Sequence, residues 1–149
     1  MPVILRIAIP ACPLRREFDY LPPHGVDPRA AAALEPGCRL RVPFGKRKVT
    51  AFLVEVSDHS QMPSHTLRHA DAILDRSSLL SPAIAALCRW AAGYYRTPPG
   101  DVWAAAFSRR LRDGRQPTLG AWRLTDRGAG LPADALARAP RQRDRKSVV

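Results

Sequence analysis

Three cysteines in 149 residues, at positions 12, 38 and 88, are too few and too scattered for a disulfide framework or a CxxC metal knuckle. They read instead as reduced, buried, small apolar residues. Long hydrophobic runs are missing as well. The most apolar stretches are broken by Arg6, Glu55 and Arg89 within a few residues, which excludes a membrane-spanning helix. The start, Met1-Pro2-Val3-Ile4-Leu5-Arg6, lacks the basic, apolar and small-residue regions of a secretory leader, so a cytoplasmic location is expected. Acidic residues are scarce, 13 against 24 Lys and Arg, and the formal charge is +11. Most of the cations are arginines, whose planar fork suits phosphate oxygens, so a polyanionic partner leads. An arginine-rich surface without such a partner carries about equal weight on charge alone.

Catalytic signatures are absent too. A nucleotide-phosphate loop needs Gly-Lys followed by Ser or Thr, whereas Gly45-Lys46 is followed by Arg47. His65 and His69 have helical i,i+4 spacing, but no third ligand lies nearby in the sequence, so no metal site is expected. No Ser-His-Asp or Cys-His pattern has a recommending context. The chain reads as a binding module with no cofactor of its own.

The length suits one compact domain with a second small one begun. Alternation predicts strands over residues 3–9, 18–21, 39–44 and 49–56, with another over 71–74. An alanine run within residues 25–36 suggests a short helix. Residues 57–69 are polar and give no clear path. From Ser81 the period changes to helical: Ser81 is the N-cap, Pro82 opens the helix, and Ile84, Leu87, Cys88, Ala91 and Tyr95 share a face. Pro98-Pro99-Gly100 breaks it, and Asp101 is placed to cap a second helix carrying Val102, Trp103, Ala106 and Phe107. The expected fold is α/β, a small mixed or barrel-like sheet followed by two helices. Residues 1–108 form the first domain, and 109–149 a basic linker with an incomplete second unit. In that unit a strand over 122–125 and a weak helix over 131–140 are expected, with disorder at the last residues.

One segment concentrates the charge. In Arg39-Leu40-Arg41-Val42-Pro43-Phe44-Gly45-Lys46-Arg47-Lys48, arginines alternate with apolar residues and lead into a basic hairpin tip spanning Gly45 to Lys48. Arg39, Arg41, Lys46, Arg47 and Lys48 are candidate phosphate contacts, Gly45 allows close backbone approach, and Phe44 offers a stacking plane. A solvated edge strand whose charges prevent aggregation explains the same pattern equally well.

Three motifs occur in order: Phe18-Asp19-Tyr20-Leu21-Pro22; Val42-Pro43-Phe44-Gly45 before a basic tip; and Trp90-Ala91-Ala92-Gly93-Tyr94-Tyr95-Arg96-Thr97-Pro98-Pro99-Gly100-Asp101-Val102. Together they resemble the N-terminal part of the primosomal protein N′ (PriA) family, bacterial replication-restart helicases, over about residues 1–125. The resemblance implies recognition of the three-prime end of the nascent leading strand at a stalled fork, with Phe18, Asp19, Tyr20 and Gly45 lining the terminus pocket. It also implies that a winged helix begins after residue 108. For the full-length family it implies ATP, magnesium and zinc, three-prime to five-prime helicase activity, and partnership with primosome proteins and single-stranded-DNA-binding protein. The motor residues are not in this sequence, and a monomer binding forked or primer-template DNA is expected. Ala51, where the family commonly has glycine, and the long alanine-rich connection are departures from the pattern.

Chemistry agrees with that role for Asp19, because an ionised carboxylate only accepts hydrogen bonds and repels a terminal phosphate. In a regular strand Phe18 and Tyr20 face away from Asp19, so they are alternatively core residues beneath the pocket. Trp90, Tyr94 and Tyr95 read as core. Two other functions fit the composition: a basic RNA- or ribosome-associated protein without end specificity, and an interaction domain docking a protein through its aromatic helices.

Overall fold

Branched apolar residues alternating along β1, Ile4–Ala8, make it the hub of a sheet, with a partner strand on each edge. A computed structural model describes residues 2–117, 123, 125–130 and 132. On one edge β2, Phe18–Leu21, runs antiparallel, with Leu5 opposite Tyr20, Arg6 opposite Asp19 and Ile7 opposite Phe18. On the other edge lies the long β4, Arg47–Ser57, hairpinned to β3, Arg39–Phe44. Two short strands, β5 at Arg68–His69 and β6 at Ala72–Ile73, complete the order β5-β2-β1-β4-β3-β6.

The sheet is a half-barrel. The register between β1 and β4 slips at Arg6/Ile7, a bulge that adds twist. The Tyr20 hydroxyl on β2 then donates to the Pro43 carbonyl on β3 at 2.7 Å, although β1 and β4 lie between those strands in the sheet. The concave side is filled by Leu5, Ile7, Tyr20, Leu40, Val42 and Leu53. The convex side carries Ala8, Phe52 and Val54, which pack under α2, Pro82–Tyr94, and α3, Pro99–Ala105. The α/β class and the helices after the sheet are as the sequence predicts.

Local chemistry explains the turns and caps. Phe44 stands opposite Arg47 and Pro43 opposite Lys48, so the tip is the two-residue turn Gly45-Lys46, and Arg47 and Lys48 already belong to β4. Gly45 has φ of 59°, a value that glycine adopts without strain and that leads a tight hairpin turn. A short helix α1, Pro28–Ala32, is capped by Asp27, and the Ser81 side chain caps α2 by accepting from the Ile84 amide. Asp101, expected as the cap of α3, lies in its first turn after Pro98, and its carboxylate accepts from the Ala11 amide at 3.0 Å. A further helix α4, Arg109–Arg112, follows. Cys12, Cys38 and Cys88 are free and buried, and burial raises the Cys38 and Cys88 thiols above their ordinary pKa.

The buried face of α2 differs from the expected one. Ala85 and Cys88 face the sheet, while Ile84, Leu87, Trp90, Tyr94 and Tyr95 are exposed. Trp103 and Phe107 already occupy the space over the sheet, with Phe107 stacked on Phe52 at 4.7 Å, so α2 approaches with its small residues. Trp90, Tyr94 and Tyr95 are therefore not core.

The chain divides into two compact units, residues 1–117 and 118–149. In the second, the described residues include one helical turn, α5, at Asp126–Ala129. The strand expected over 122–125 and the helix expected over 131–140 fall mainly outside the described residues, as do residues 144–149. Among the described residues, no helix is long and apolar enough to cross a membrane.

Candidate nucleic-acid interface

Because side chains alternate along β2, Asp19 projects to the side opposite Phe18 and Tyr20. Its carboxylate meets Arg6, its register partner on β1: Nε donates to Oδ1 at 3.1 Å, and Ser60 Oγ donates to Oδ2 at 2.6 Å. Arg6 also holds Glu55 through Nη1. Burial lowers the guanidinium's pKa, but the hydrogen bond and attraction to Asp19, with Glu55 and Glu17 behind it, outweigh that and raise it overall. A carboxylate offers about four lone-pair positions, so two remain for another donor.

A cavity of about 540 Å³ opens here. β1 and β2 with the residues just before β2 contribute Arg6, Arg16, Glu17, Phe18, Asp19 and Tyr20. The segment between β4 and β5 closes the other side with His59, Gln61, Met62, Thr66 and Leu67, and β5 adds Arg68. Three arginines thus surround two carboxylates. The Phe18 ring has Arg16 over one face, 5.1 Å from its centroid, and packs T-shaped with Phe44, ring centroids 5.4 Å apart.

Of the residues proposed for a terminus pocket, Phe18, Asp19 and Tyr20 line this cavity, and Gly45 is not among its lining residues. Gly45 follows Phe44, whose ring touches Phe18, so the hairpin turn reaches the rim of the half-barrel near β2 without facing the Asp19 carboxylate. Among the described residues, nothing beyond its own chain neighbours lies within 4 Å of where a Gly45 β-carbon would be, leaving the turn open to approach. Tyr20 is buried, and its hydroxyl, with its pKa raised by burial, is spent on Pro43. It supports the wall.

The phosphate-contact candidates separate into two groups. Arg39 is fully buried: Nε and Nη2 make a two-pronged bridge to Asp75, and Nη1 donates to the carbonyls of Leu111 and Arg115. Its expected contact with DNA is corrected on that ground, since the side chain is fully buried and four of its five N–H donors bond inside the protein. Arg41 is half-buried on the same side, its guanidinium against Gly114 and its register partner on β4 being Thr50. Alternation does place the two arginines on one face, but residues 109–116 cover that face. Lys46, Arg47 and Lys48 remain exposed, with Lys48 Nζ 3.3 Å from Asp71.

Arg68 escaped the sequence reading. It belongs to β5, which pairs parallel to β2 with Arg68 beside Tyr20, and a parallel partner arrives by a long crossover that no local alternation announces. His65 and His69, considered as a ligand pair, fall in different elements: His65 in a 3-10 turn at Ser64–Thr66 and His69 on β5, packed against His24 with ring centroids 3.8 Å apart and planes tilted by 32°.

The family of PriA domains described as the 3′DNA-binding domain (3′BD) matches residues 4–108. The Replication restart protein PriA of Haemophilus influenzae is 34% identical over 143 residues, covering 93% of this chain and 19% of that protein. The protein of the same name from Buchnera aphidicola is 22% identical over 143 residues, covering 94% of this chain and 19% of its own length. The chain therefore spans about a fifth of the length of these relatives.

Proposed function

Because the chain belongs to the PriA 3′DNA-binding domain family, we propose that it binds DNA in replication restart, holding the three-prime end of a nascent leading strand at a stalled or branched fork. One observation carries the reading: a lone-pair-bearing carboxylate, Asp19, sits in a cavity ringed by Arg6, Arg16 and Arg68. The arginines draw in a polyanion, and the carboxylate selects what reaches it. A terminal hydroxyl donates to Asp19, whereas a terminal phosphate brings like charge against it. The Phe18 ring, already packed T-shaped with Phe44 and with one face under Arg16, supports the wall against which the last nucleotide rests. The open Gly45 turn and the Lys46, Arg47, Lys48 tip take the backbone further from the end.

In this reading residues 1–108 are the end-binding domain, and 109–149 a basic linker leading into a winged helix. Binding proceeds without unwinding and without a cofactor. ATP, magnesium, zinc, primosome proteins and single-stranded-DNA-binding protein belong to the full-length family, acting in the cytoplasm, and the chain engages forked or primer-template DNA as a monomer.

The test compares fluorescence polarisation on a primer-template ending in a free three-prime hydroxyl with the same duplex ending in a three-prime phosphate. Tighter binding to the hydroxyl end is expected. Equal affinities that fall together with salt would instead identify a basic RNA- or DNA-binding surface indifferent to end chemistry. Neutralising Lys46, Arg47 and Lys48 should weaken both substrates alike, reducing the slope of log K against log salt by about 0.9 for each phosphate no longer neutralised.

A further inference from the structure

Behind the Asp19 carboxylate stands a serine that the cavity does not expose. Ser60 belongs to the segment over residues 58–67 that joins β4 to β5 and supplies one wall of the cavity. Residues 58–66 of that segment are exposed except for Ser60, which is half-buried. A polar segment of this kind has little apolar burial to hold its middle in place. What crosses from it to β2 is the bond from Ser60 Oγ to Asp19 Oδ2, at 2.6 Å the short, charge-assisted kind.

The direction of that bond is fixed. Ser60 Oγ also accepts from the Met62 amide at 3.0 Å. A hydroxyl has a single proton, and with an amide hydrogen already aimed at the oxygen, that proton goes to Asp19. On the other carboxylate oxygen, Arg6 Nε donates to Oδ1 at 3.1 Å. Each oxygen thus has a partner, and turning the carboxylate about its bond to Cβ would break both contacts. That torsion is soft in a free aspartate, so one partner alone would hold it loosely.

The two partners stand on different sides. Arg6 and Asp19 line the cavity, as do His59, Gln61 and Met62 around Ser60, but Ser60 itself is not among the lining residues. It braces the carboxylate from behind and leaves the space in front of it to a ligand.

We propose that Ser60 is a positioning residue for end recognition: its hydroxyl sets the rotation of the Asp19 carboxylate so that the remaining lone pairs face the cavity, where a terminal hydroxyl donates. This role rests on the end-binding reading above, and Ser60 acts through Asp19 without touching DNA. Charge and direction are then divided between two residues. Rejection of a terminal phosphate follows from the charge of Asp19, because Coulomb repulsion depends on distance and hardly on how the carboxylate is turned. Acceptance of a hydroxyl requires direction, because hydrogen bonds weaken steeply as they bend.

The experiment titrates the full chain, by fluorescence polarisation, with primer-templates that differ only at the three-prime terminus: a hydroxyl, a dideoxynucleotide with hydrogen in its place, or a phosphate. The wild type should prefer the hydroxyl to the hydrogen end by about tenfold, the scale of a hydrogen bond to a charged acceptor, and bind the phosphate end weakest. In Ser60→Ala the hydroxyl and hydrogen ends should become equal while the phosphate end stays weakest. Ser60→Thr keeps a hydroxyl and should restore the ratio. A mere loss of folded protein lowers all three titrations alike, so the ratio separates this role from stability. Ser60→Ala with the wild-type ratio of hydroxyl to hydrogen ends overturns the proposal and leaves the end-binding reading standing. So does a Ser60→Thr that fails to restore it, since the loss would then come from packing of the segment and not from the hydroxyl. A wild type that binds all three ends equally sinks the end-binding reading itself, and the role of Ser60 with it.

Discussion

Arg6 and Asp19 face each other in register across the β1–β2 ladder, with Nε 3.1 Å from Oδ1, and both side chains are mostly withdrawn from solvent. The pair fixes where the acceptor points and leaves the Asp19 carboxylate only partly committed, since Ser60 is its other side-chain donor. Removing either member should therefore separate structure from selectivity. Asp19→Asn keeps the shape and the contact with Ser60 but removes the negative charge, so the discrimination between hydroxyl and phosphate ends should disappear with little change in overall affinity. Arg6→Ala leaves the carboxylate with one partner. It should cost about 1–2 kcal/mol of stability, typical of a charged hydrogen bond that is not fully buried, and lower affinity for both ends. Urea midpoints and polarisation titrations read the two effects independently. An Asp19→Asn variant that still rejects the phosphate end would remove Asp19 from the role.

The Arg39–Asp75 pair is of a different kind, with the arginine side chain fully buried and the aspartate 3% exposed. Two side-chain bonds of 2.8 and 2.7 Å join them, the Arg39 amide adds a third at 2.9 Å, and the guanidinium closes on the carbonyls of Leu111 and Arg115. Breaking such a pair strands a buried charge. Asp75→Asn should destabilise the first unit by about 3–5 kcal/mol, and Arg39→Ala by a similar amount. Arg39→Met with Asp75→Leu should cost much less than the two single changes added, because no charge is then left uncompensated. DNA affinity of the folded double variant should equal that of wild type. A selective loss of DNA binding would reinstate Arg39 as a contact.

These two pairs show what the sequence discloses. The alternation from Arg39 to Phe44 yields β3 with its observed bounds, and it correctly places Arg39 and Arg41 together. Alternation reports a shared face, not whether that face is wet. The cover over Arg39 comes from Asp75, Leu111 and Arg115, between 36 and 76 residues away, and nothing local encodes it. Ser81 and Pro82 mark the start of α2 because capping is local chemistry, yet the helix's buried side was set by Trp103 and Phe107, supplied later in the chain. Phe18-Asp19-Tyr20, singled out by a short motif, does line a single cavity. Arg68 was not legible, since its place depends on parallel pairing with β2.

Glu17 supplies a pH dependence. Burial raises its pKa; attraction to Arg6 and Arg89 works against this, and repulsion from Glu55 and Asp19 works with it. A carboxyl whose pKa is raised on folding binds its proton more tightly in the native state. Its stabilising contribution is complete below the usual glutamate value of about 4.3 and is lost as pH rises through the elevated native value. Glu17→Gln cannot titrate. In urea titrations from pH 4 to 7, the wild type should lose stability relative to Glu17→Gln as pH increases, with the difference levelling off once Glu17 is ionised in both states. Parallel curves across that range would show that its burial has no energetic consequence.

Gly100 sets the distance between the helices and the sheet. It opens α3 so close to the end of β1 that a β-carbon would stand 1.8 Å from the Ile9 carbonyl oxygen and 2.2 Å from its carbon. Both are backbone atoms and cannot swing aside. The same corner is tied by Asp101, which accepts from the Ala11 amide, so α3 cannot slide away without losing that bond. Intrinsic helix propensity favours alanine over glycine by about 1 kcal/mol, but the overlap should dominate and Gly100→Ala should destabilise by about 3 kcal/mol. Gly93, in the last turn of α2, is the control. Among the described residues, nothing beyond its chain neighbours and its own helix backbone lies within 4 Å of its would-be β-carbon, so Gly93→Ala should hold or raise stability by up to about 1 kcal/mol. Urea midpoints moving in opposite directions for these two alanines would establish that the packing of α3 on β1, rather than glycine content, governs the stability of the unit that carries Arg6. If Gly100→Ala proved neutral, α3 would have to yield at its first turn, and the placement of Trp103 over the sheet would no longer be rigid.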